Sequence, residues 1–335
     1  MVYDCFPFFN ELDLLEIRLN ELDDVVDRFV IVEAELTHNG DKKPLCFAEN
    51  RERFAKFEKK IKHIIVCAEE FKPAEVGATF QERAWMRENI QRNAIAKGLA
   101  SAKDDDVIIV SDLDEIPSPC KVHEWKASLR NGEVVGFILN AYNFYVNLRN
   151  ASDPYWGNDP KMSKVGTFRD GRAYVSSPYN HFILPEINQG LTATRFRYIK
   201  PTRRIANAGW HFSYLGGAEA AVAKVRAFNE MGLWAKKDIE VFVAKRISQG
   251  KALVGGDRFM PEPLDETFPA FLLANCERFA NLVCQNVPQQ NAKMRMLRKW
   301  VFLSSCIRRF IVRIVFWLTP RWVRRIVKHV IGVQS

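Results

Sequence analysis

The sequence predicts an α/β fold in which one mostly parallel sheet carries helices on both faces. In the first part of the chain, short apolar runs alternate with segments of helical periodicity. This alternation is typical of parallel strands joined by crossover helices. The run VIIV at 107–110 has the composition of a buried strand. The chain of 335 residues is 47% hydrophobic, so it can bury the large core that such a fold needs.

The predicted elements follow in order along the chain. Strands are predicted at 2–6, 28–35, 62–69 and 107–110. Helices are predicted from Asn10 to Leu22, where leucines recur at helical spacing, and at 49–61 and 80–101. Parallel sheets bind ligands at the carboxyl ends of their strands. Acids that follow strands are therefore expected along one rim: Glu33, Glu35, Asp112, Asp114 and Glu115.

The second half of the chain is less regular. A strand is predicted at 134–148, and helices are predicted at 216–231 and 237–250. Residues 151–200 are rich in aromatic residues, proline and glycine, which predicts loops. Recognition loops commonly have this character, so we expect this segment to surround a pocket.

The net charge of +9 comes from the C-terminal segment. Residues 291–335 contain eleven Lys or Arg and no acid, and the rest of the chain has 38 basic and 40 acidic residues. A protein body that binds nucleic acid would carry its own basic face, so nucleic acid is not expected as a partner.

The seven cysteines are scattered and form no CxxC pair. This distribution argues against a disulfide framework or a zinc knuckle and favours a reduced, cytoplasmic setting. The N-terminus, MVYDCFPFFNELD, has acids where a signal peptide would have basic residues and a long apolar run.

The main candidate site is the acid cluster in VIIVSDLDEIPSP, residues 107–119. Asp112 and Asp114 follow the predicted strand at its ligand-binding end, whereas the acids at 104–106 precede it and are interpreted as a solvated turn. Mg²⁺ and Mn²⁺ are commonly held by one or two carboxylates together with substrate phosphates. Asp112 and Asp114 are therefore candidate metal ligands, and the alternative is that they cap or form a turn.

Three further residues are candidates on weaker grounds. Arg92 and Asn93 lie in the helix before this strand, where a guanidinium could bind a phosphate if that helix end reaches the acid rim. The alternative is a solvated helix face. His211 lies between aromatic residues and glycines, and a neutral imidazole there could complete a metal site or be an ordinary core residue.

Five segments together resemble glycosyltransferase family 17: DCFPFFNELDLLEIRLNEL, VIVEAELTH, IVSDLDEIPSP, KMSKVGTF and NAGWHFSYLGG. The resemblance spans roughly residues 2 to 275. It implies a GT-A-like fold, a UDP-sugar donor (UDP-GlcNAc above all), a divalent Mn²⁺ or Mg²⁺, and inversion at the anomeric carbon.

Position by position, the resemblance assigns roles to the candidates. Asp112 and Asp114 match the DxD motif that binds the metal and the donor, and His211 matches a late metal-binding histidine. Glu33 matches an acid that binds the nucleoside. Arg92-Asn93 resembles the helix that precedes the DxD strand and helps to bind the donor.

An inverting transfer needs a carboxylate base within reach of the acceptor hydroxyl. Glu219 is the first candidate, because it begins a helix just after a Gly-Gly turn. The alternative is an acid favoured only by the helix dipole. Asp257 and Glu115 are the other catalytic candidates.

The C-terminal segment at 295–332 is apolar and basic, with no uncharged run of the length that crosses a bilayer, about eighteen residues. After Pro320, basic residues share one helical face and apolar residues flank it: Arg321, Arg324, Arg325 and Lys328. Such a helix is typical of a segment lying on an anionic membrane. A helix packed on the body and a nucleic-acid-binding tail are the alternatives.

The predicted organisation is a catalytic domain at 1–290 followed by a membrane-associating tail at 291–335. Within the domain, residues 1–130 would bind the nucleotide sugar and residues 131–290 a glycan or lipid-linked saccharide acceptor. We expect a cytoplasmic enzyme bound peripherally to the membrane. Two other functions remain open, a non-catalytic sugar- or nucleotide-binding module and a phosphohydrolase with an aspartyl nucleophile.

Overall fold

The structure is a computed structural model that describes residues 1–77, 79–157, 160–170, 193–228, 233, 236–288 and 292–318. The strands β1 to β13 are, in order, Val2–Phe8, Arg28–Ala34, Ile61–Val66, Val107–Val110, Glu115–Pro117, Val134–Phe137, Leu139–Asn143, Leu148–Asn150, Tyr155–Trp156, Lys161–Lys164, Arg203–Ile205, Gly209–Ser213 and Phe259–Pro261. The helices α1 to α11 are Leu12–Leu22, Cys46–Glu49, Phe80–Asn93, Ile95–Gly98, Pro119–Lys126, Val165–Asp170, Ala193–Tyr198, Gly217–Ala227, Ile239–Ser248, Ala270–Ala274 and Ala292–Leu318. Short 3₁₀ helices are Arg51–Phe57, Ala68–Val76 and Ala280–Leu282.

The larger sheet has seven strands in the order β11-β6-β10-β4-β1-β2-β3. Strands β4, β1, β2 and β3 run parallel to their neighbours in this group, and β10 is antiparallel to both β4 and β6. The predicted mixed α/β fold with a mostly parallel sheet is confirmed. The four strands predicted in the first part of the chain form one continuous half of this sheet.

Helices cover both faces of the larger sheet. Alternate residues of its strands accordingly pack in two different cores, one on each face. Phe29 and Ile31 of β2 pack in the same core as the leucines of α1. Val30 and Val32 of the same strand pack with Ile95 of α4 in a second core. Side chains alternate between the two faces of a strand, so a continuous apolar run buries both faces.

A second sheet has six strands, in the order β13-β8-β7-β12-β5 with β9 paired to β7. The prediction of a single sheet is wrong here. The run at 134–148, predicted as one strand, breaks at Ile138, so that β6 joins the larger sheet and β7 the second. Phe144 ends β7 with a positive φ of 68°. Strand β4 lies in the larger sheet and β5 lies in the second sheet. Residues 111–115, which contain Asp112, Asp114 and Glu115 and are called the acid loop, therefore join the two sheets.

Other elements differ from the prediction in extent. The helix predicted at 49–61 is a 3₁₀ helix, and the helix predicted at 80–101 is divided into α3 and α4 at Ala94. The two later predicted helices are confirmed as α8 and α9. The described part of the region predicted as loops, 151–200, contains β9, β10, α6 and α7, so the loop prediction is wrong there. Residues 158–159 and 171–192, and the predicted basic helix after Pro320, lie outside the described residues. No helix in the described parts of the chain has the length and apolarity that a membrane crossing requires.

Candidate active site

A cavity of about 730 Å³ lies at the carboxyl ends of β1, β2 and β4. Phe8, Leu36 and Asp112 line it from the larger sheet, and Ala141 and His211 line it from the second sheet. Small-molecule sites commonly have volumes of roughly 300–1,000 Å³ and lie beyond the carboxyl ends of parallel strands. Of the five acids predicted along this rim, Asp112 and Asp114 line the cavity, and Glu33, Glu35 and Glu115 do not.

The acid loop is held from below by Arg18, whose side chain is fully buried. Its guanidinium donates to the backbone carbonyl oxygens of Asp112, Leu113 and Glu115 over 2.8, 3.0 and 2.8 Å. It also forms a two-pronged ion pair with the buried Asp4, at 2.6 and 2.8 Å. A planar fork of donors suits this arrangement, which fixes the path of the loop and thus the direction of its carboxylates.

Asp112 is partly open to the cavity, with 36% of its side chain exposed. Arg92 lies 2.6 Å from one carboxylate oxygen, and Arg197 of α7 lies 3.2 Å from the other. Burial alone would raise the pKa of Asp112, but the two guanidinium groups hold it well below its usual range. The predicted phosphate-binding Arg92 is thus at the acid rim and paired with the first acid of the DxD motif.

Asp114 is buried and paired with Lys224 of α8 at 2.8 Å. Lys224 also lies 3.3 Å from Glu11, which lines the cavity at the start of α1. Burial alone would raise the pKa of Asp114, but Lys224 and His211 lower it. Burial alone would lower the pKa of Lys224, yet the two carboxylates raise it, so the ammonium stays charged.

Glu115 is fully buried beneath the cavity and does not line it. Its carboxylate accepts hydrogen bonds from Arg197, from the indole of Trp156 and from the backbone N–H of Asp112. Burial raises the pKa of Glu115 to about 7, even though Arg197 favours its charged form. These contacts describe a residue that fixes Arg197 and Trp156 in place.

His211 and Asp114 form the part of the site that best suits a metal ion. His211 Nε2 lies 3.7 Å from an Asp114 carboxylate oxygen, and the buried Nδ1 has no hydrogen-bond partner among the described residues. Burial lowers the pKa of His211 to about 4, so the imidazole is neutral near pH 7, as a ligand must be. Trp156 stacks on its ring with centroids 4.0 Å apart.

Asp112 is less available to a metal ion than Asp114 and His211, because Arg92 and Arg197 already contact its two carboxylate oxygens. No cluster of three or more His, Cys, Asp or Glu side chains in the described parts of the chain is arranged to hold a metal ion. The residues present fit a divalent ion that takes Asp114 and His211 from the protein and other ligands from substrate phosphate and water.

Aromatic rings form another part of the cavity lining. The ring of Phe228 lies 5.2 Å from Phe9 and 4.6 Å from His38, measured between centroids, and all three residues line the cavity. His38 Nε2 is hydrogen-bonded to Gln91 at 3.0 Å, and burial lowers the pKa of His38. Lys43 also lines this part of the cavity, with its Nζ 5.6 Å from the Phe9 ring centroid, so the rings lie beside a cation.

Several predicted site residues lie elsewhere. Glu33 is fully buried and accepts hydrogen bonds from the backbone N–H of Phe47 at 2.9 Å and from His63 at 3.1 Å, so it supports the start of α2 and does not line the cavity. Asn93 accepts from the backbone N–H of Thr194 at 3.1 Å and is also outside the lining.

The three candidates for the catalytic base are placed differently. Glu219 is exposed in the first turn of α8 and does not line the cavity, and Glu115 is buried beneath it. Asp257 lines the cavity and accepts a hydrogen bond from Asn150 at 3.2 Å. Of the three carboxylates, Asp257 is therefore the one that lines the cavity.

Sequence reasoning missed several residues of the site. Lys224 lies on a predicted helix, where a basic residue ordinarily indicates a solvated face, and Arg197 lies in the segment predicted as loops. Glu11 was counted only as part of a helix start, and Trp156 lies in a segment predicted as loop. The aromatic stretch at 151–156 was the one signal that could have indicated Trp156, because such residues often line pockets.

Together, the fold and the site define an α/β protein with a small-molecule cavity at the carboxyl edge of its parallel strands. Residues 1–156 match the model of the family described as Glycosyltransferase family 17. This match confirms the resemblance that the sequence segments carry.

Curated relatives agree with the family match. The chain is 32% identical over 294 residues to the Homo sapiens protein named Beta-1,4-mannosyl-glycoprotein 4-beta-N-acetylglucosaminyltransferase. It is 31% identical over 294 residues to the Mus musculus protein of the same name. Both alignments cover 82% of this chain and 53% of the relative, so the chain spans about half the length of these relatives. They agree with the resemblance that the sequence segments carry.

Among solved structures, the crystal structure of S. aureus TarS 1-349 matches with a TM-score of 0.33 and 10% sequence identity. The match covers 74% of this chain and 70% of that chain. This likeness is too distant to bear on the fold.

Proposed function

We propose that this protein is an inverting glycosyltransferase with a GT-A-like catalytic domain that transfers N-acetylglucosamine from UDP-GlcNAc to a saccharide acceptor. The observation that carries the proposal is the acid loop at 111–115, placed under a cavity of about 730 Å³ and surrounded by three cations. The family match over residues 1–156 covers this loop. The names of the relatives suggest the sugar and the β-1,4 linkage.

The donor would contact two kinds of side chain in the cavity. Arg92 and Lys224 line the cavity beside Asp112 and Asp114 and can receive a diphosphate, and the buried Arg197 adds positive charge beneath them. The rings of Phe228 and Phe9 can receive the nucleoside base by stacking. A lining with both cations and aromatic rings fits a nucleotide sugar, which has a charged diphosphate and a flat base.

A divalent ion, Mn²⁺ or Mg²⁺, would be held by Asp114 and His211, with Asp112 beside them. Such an ion would stabilise the negative charge that develops on the nucleoside diphosphate leaving group. Lys224 and Arg197 already supply fixed positive charge at the same place, without reorganisation during the reaction.

Asp257 is the proposed base. Inversion requires a carboxylate on the acceptor side of the sugar, where it can accept the proton of the attacking hydroxyl. Asp257 lines the cavity and has a hydrogen bond from Asn150 that holds its side chain. Glu219 is exposed and outside the lining, which leaves it without a route to the acceptor in this arrangement.

The C-terminal segment associates with an anionic membrane surface in this proposal. Support comes from the eleven basic residues and absent acids of 291–335 and from the exposed apolar side chains of α11. An amphipathic helix with basic residues binds such a surface by apolar burial and charge together. The predicted division at residue 290 remains part of the proposal.

The test is release of nucleoside diphosphate from a panel of nucleotide sugars with Mn²⁺. We expect release of UDP from UDP-GlcNAc, strongest in the presence of an acceptor saccharide, and little from other donors. A suitable control is the Asp105→Asn variant, since Asp105 is 89% exposed at the amino end of the same strand. Binding of UDP without any release would indicate a non-catalytic module. Hydrolysis of simple phosphate esters would indicate a phosphohydrolase.

A further inference from the structure

We propose that the acceptor is a saccharide attached to a membrane lipid, and that α11 holds the mouth of the cavity at the lipid surface. This inference rests on the proposed glycosyltransferase function and adds the class of its acceptor. It is carried by three features of α11: the face that packs on the body, the contacts that this face makes with the cavity rim, and the face that it exposes.

The packed face of α11 is narrow. Val301 and Ser305 are buried against the body. On either side, Arg298 donates to the carbonyl oxygen of Pro261 at 2.7 Å, and Arg309 donates to the carbonyl oxygen of Ser152 at 3.1 Å. Polar contacts therefore hold much of the packed face, with Val301 as its buried apolar side chain.

Two arginines of α11 also contact carboxylates that line the cavity. Arg309 lies 2.9 Å from Asp153, and Arg308 lies 3.6 Å from Asp257, the proposed base. The Arg308 guanidinium passes close over Gly256, where a Cβ atom would lie 1.8 Å from its nitrogen. The helix is thus fixed to the acceptor side of the cavity.

The opposite face of α11 is a continuous apolar stripe. Its members are 51% to 70% exposed and follow one another at alternating intervals of four and three residues: Met296, Trp300, Leu303, Ile307 and Phe310. Lys293 and Lys299 flank the stripe and are exposed. An exposed apolar stripe of this size is rarely left in water, so it marks a surface that is covered by something.

Charge identifies an anionic lipid surface as the cover. Residues 291–335 carry eleven basic side chains and no acid, so a second copy of the helix would bring like charges together. An anionic bilayer instead attracts each of the basic residues near its surface, and the stripe enters the acyl boundary. An acidic protein partner is disfavoured as the cover, because binding through charge alone would not require a stripe of five large apolar side chains.

The distance from the cavity rim to the lipid surface then follows from the diameter of α11. An α-helix with its side chains is roughly 10–12 Å across, and the rim and the stripe lie on opposite sides of α11. Asp153 and Asp257 therefore lie about one helix diameter from the lipid headgroups. A saccharide attached to a lipid reaches this mouth without leaving the membrane, whereas a free glycan gains nothing from the arrangement.

The first experiment measures orientation on vesicles of phosphatidylcholine and phosphatidylglycerol that contain a headgroup-attached energy-transfer acceptor dye. A fluorophore is placed on Tyr155→Cys, at the cavity, or on Lys59→Cys, before the far edge strand β3, in a chain whose exposed native Cys67 and Cys120 are replaced by serine. We expect clearly higher transfer efficiency from position 155. Equal or higher efficiency from position 59 would overturn the proposal.

A second variant separates membrane docking from folding. Trp300→Glu with Ile307→Glu should lower vesicle binding at least tenfold, while Val241→Glu, on the exposed face of α9, should leave it unchanged. A dimer in sedimentation that the double variant abolishes, without vesicle binding by the parent chain, would assign the stripe to a second copy and contradict the proposal.

The acceptor class is tested with paired synthetic glycosides that share a sugar and differ in a dodecyl or a methyl aglycone. Adding anionic vesicles should raise transfer to the dodecyl members at least tenfold and leave the methyl members unchanged. Equal use of both members with vesicles would overturn the acceptor class. It would leave the proposed function intact, because release of UDP from the donor is measured separately.

Discussion

Replacing Arg18 with methionine tests whether the acid loop is positioned from beneath. The variant removes a fully buried guanidinium and leaves the buried carboxylate of Asp4 without its partner. It also removes the donors of three backbone carbonyl groups in the loop. Breaking a buried ion pair by removing one partner costs about 3–5 kcal/mol. With an unfolding entropy near 2.1 cal/mol/K per residue, a loss of about 4 kcal/mol lowers Tm by about 6 °C in a chain of this length.

The double variant Arg18→Met with Asp4→Leu separates stability from positioning. Removing both charges of a buried pair is often close to neutral, so much of the lost stability should return. The loop carbonyl groups still lack their donors, so the direction of Asp112 and Asp114 stays unfixed. We expect the double variant to recover most of its Tm and to bind UDP-GlcNAc at least tenfold more weakly than the parent.

Calorimetric melting and isothermal titration give the two readouts. A loss below about 1 kcal/mol in the single variant would refute the calculation, because a surface contact costs no more than that. Parent-like donor affinity in the stable double variant would refute the positioning role of Arg18.

Four further substitutions test individual residues. Asp257→Asn should lower turnover by about 10²–10⁴-fold with donor affinity unchanged, as expected for a general base, and steady-state kinetics with calorimetry measure both. Glu219→Gln should keep parent-like turnover in the same assay, and a comparable loss would return the base assignment to it. Glu33→Gln should cost about 1–3 kcal/mol of unfolding free energy, measured by urea titration, because Glu33 accepts hydrogen bonds inside the protein. Donor affinity should be unchanged, and weaker donor binding would restore the predicted nucleoside role of Glu33. Gly98→Ala should lower the free energy of unfolding by about 1–3 kcal/mol through overpacking, since its Cβ would lie 2.3 Å from a methyl group of Val30. A variant as stable as the parent would show that α4 can shift to accommodate the methyl group.

The sequence was most informative where a local pattern decides the structure. The continuous apolar runs of β2 and β4 are satisfied by burying both strand faces, so they predict a covered parallel sheet. The acid loop at 111–115 follows one of these strands, and the carboxyl end of a parallel strand is a ligand site by topology. These two inferences required no knowledge of distant contacts.

The second sheet could not be predicted, because the break at Ile138 lies inside an apolar run that reads as one strand. What divides the run is tertiary: β6 pairs with β10 and β11, and β7 pairs with β8, β9 and β12. Periodicity identifies a strand but not the partner that it chooses.

The cations of the site were missed for a similar reason. Both residues, Lys224 and Arg197, lie far along the chain from the acids that they pair with. Lys224 is on a helix, where a basic residue ordinarily faces solvent, and the segment that contains Arg197 is predicted as loops. Glu33 is predicted at the rim because it lies near the end of a strand, yet its side chain lies on the face of β2 that packs against α2, where its carboxylate accepts a hydrogen bond. Whether a strand end is open or covered depends on chain folding over it, which local sequence does not specify.

The central claim is that the acid loop under the cavity binds the diphosphate of a nucleotide sugar. Titration calorimetry of UDP-GlcNAc into the parent chain, Asp114→Asn and Asp105→Asn, each with Mn²⁺ and each confirmed as folded by its melting curve, tests it most directly. We predict that Asp114→Asn weakens binding at least tenfold, or about 1.4 kcal/mol, and that Asp105→Asn binds like the parent. Parent-like binding by a folded Asp114→Asn variant, or equal losses in both variants, would contradict the account.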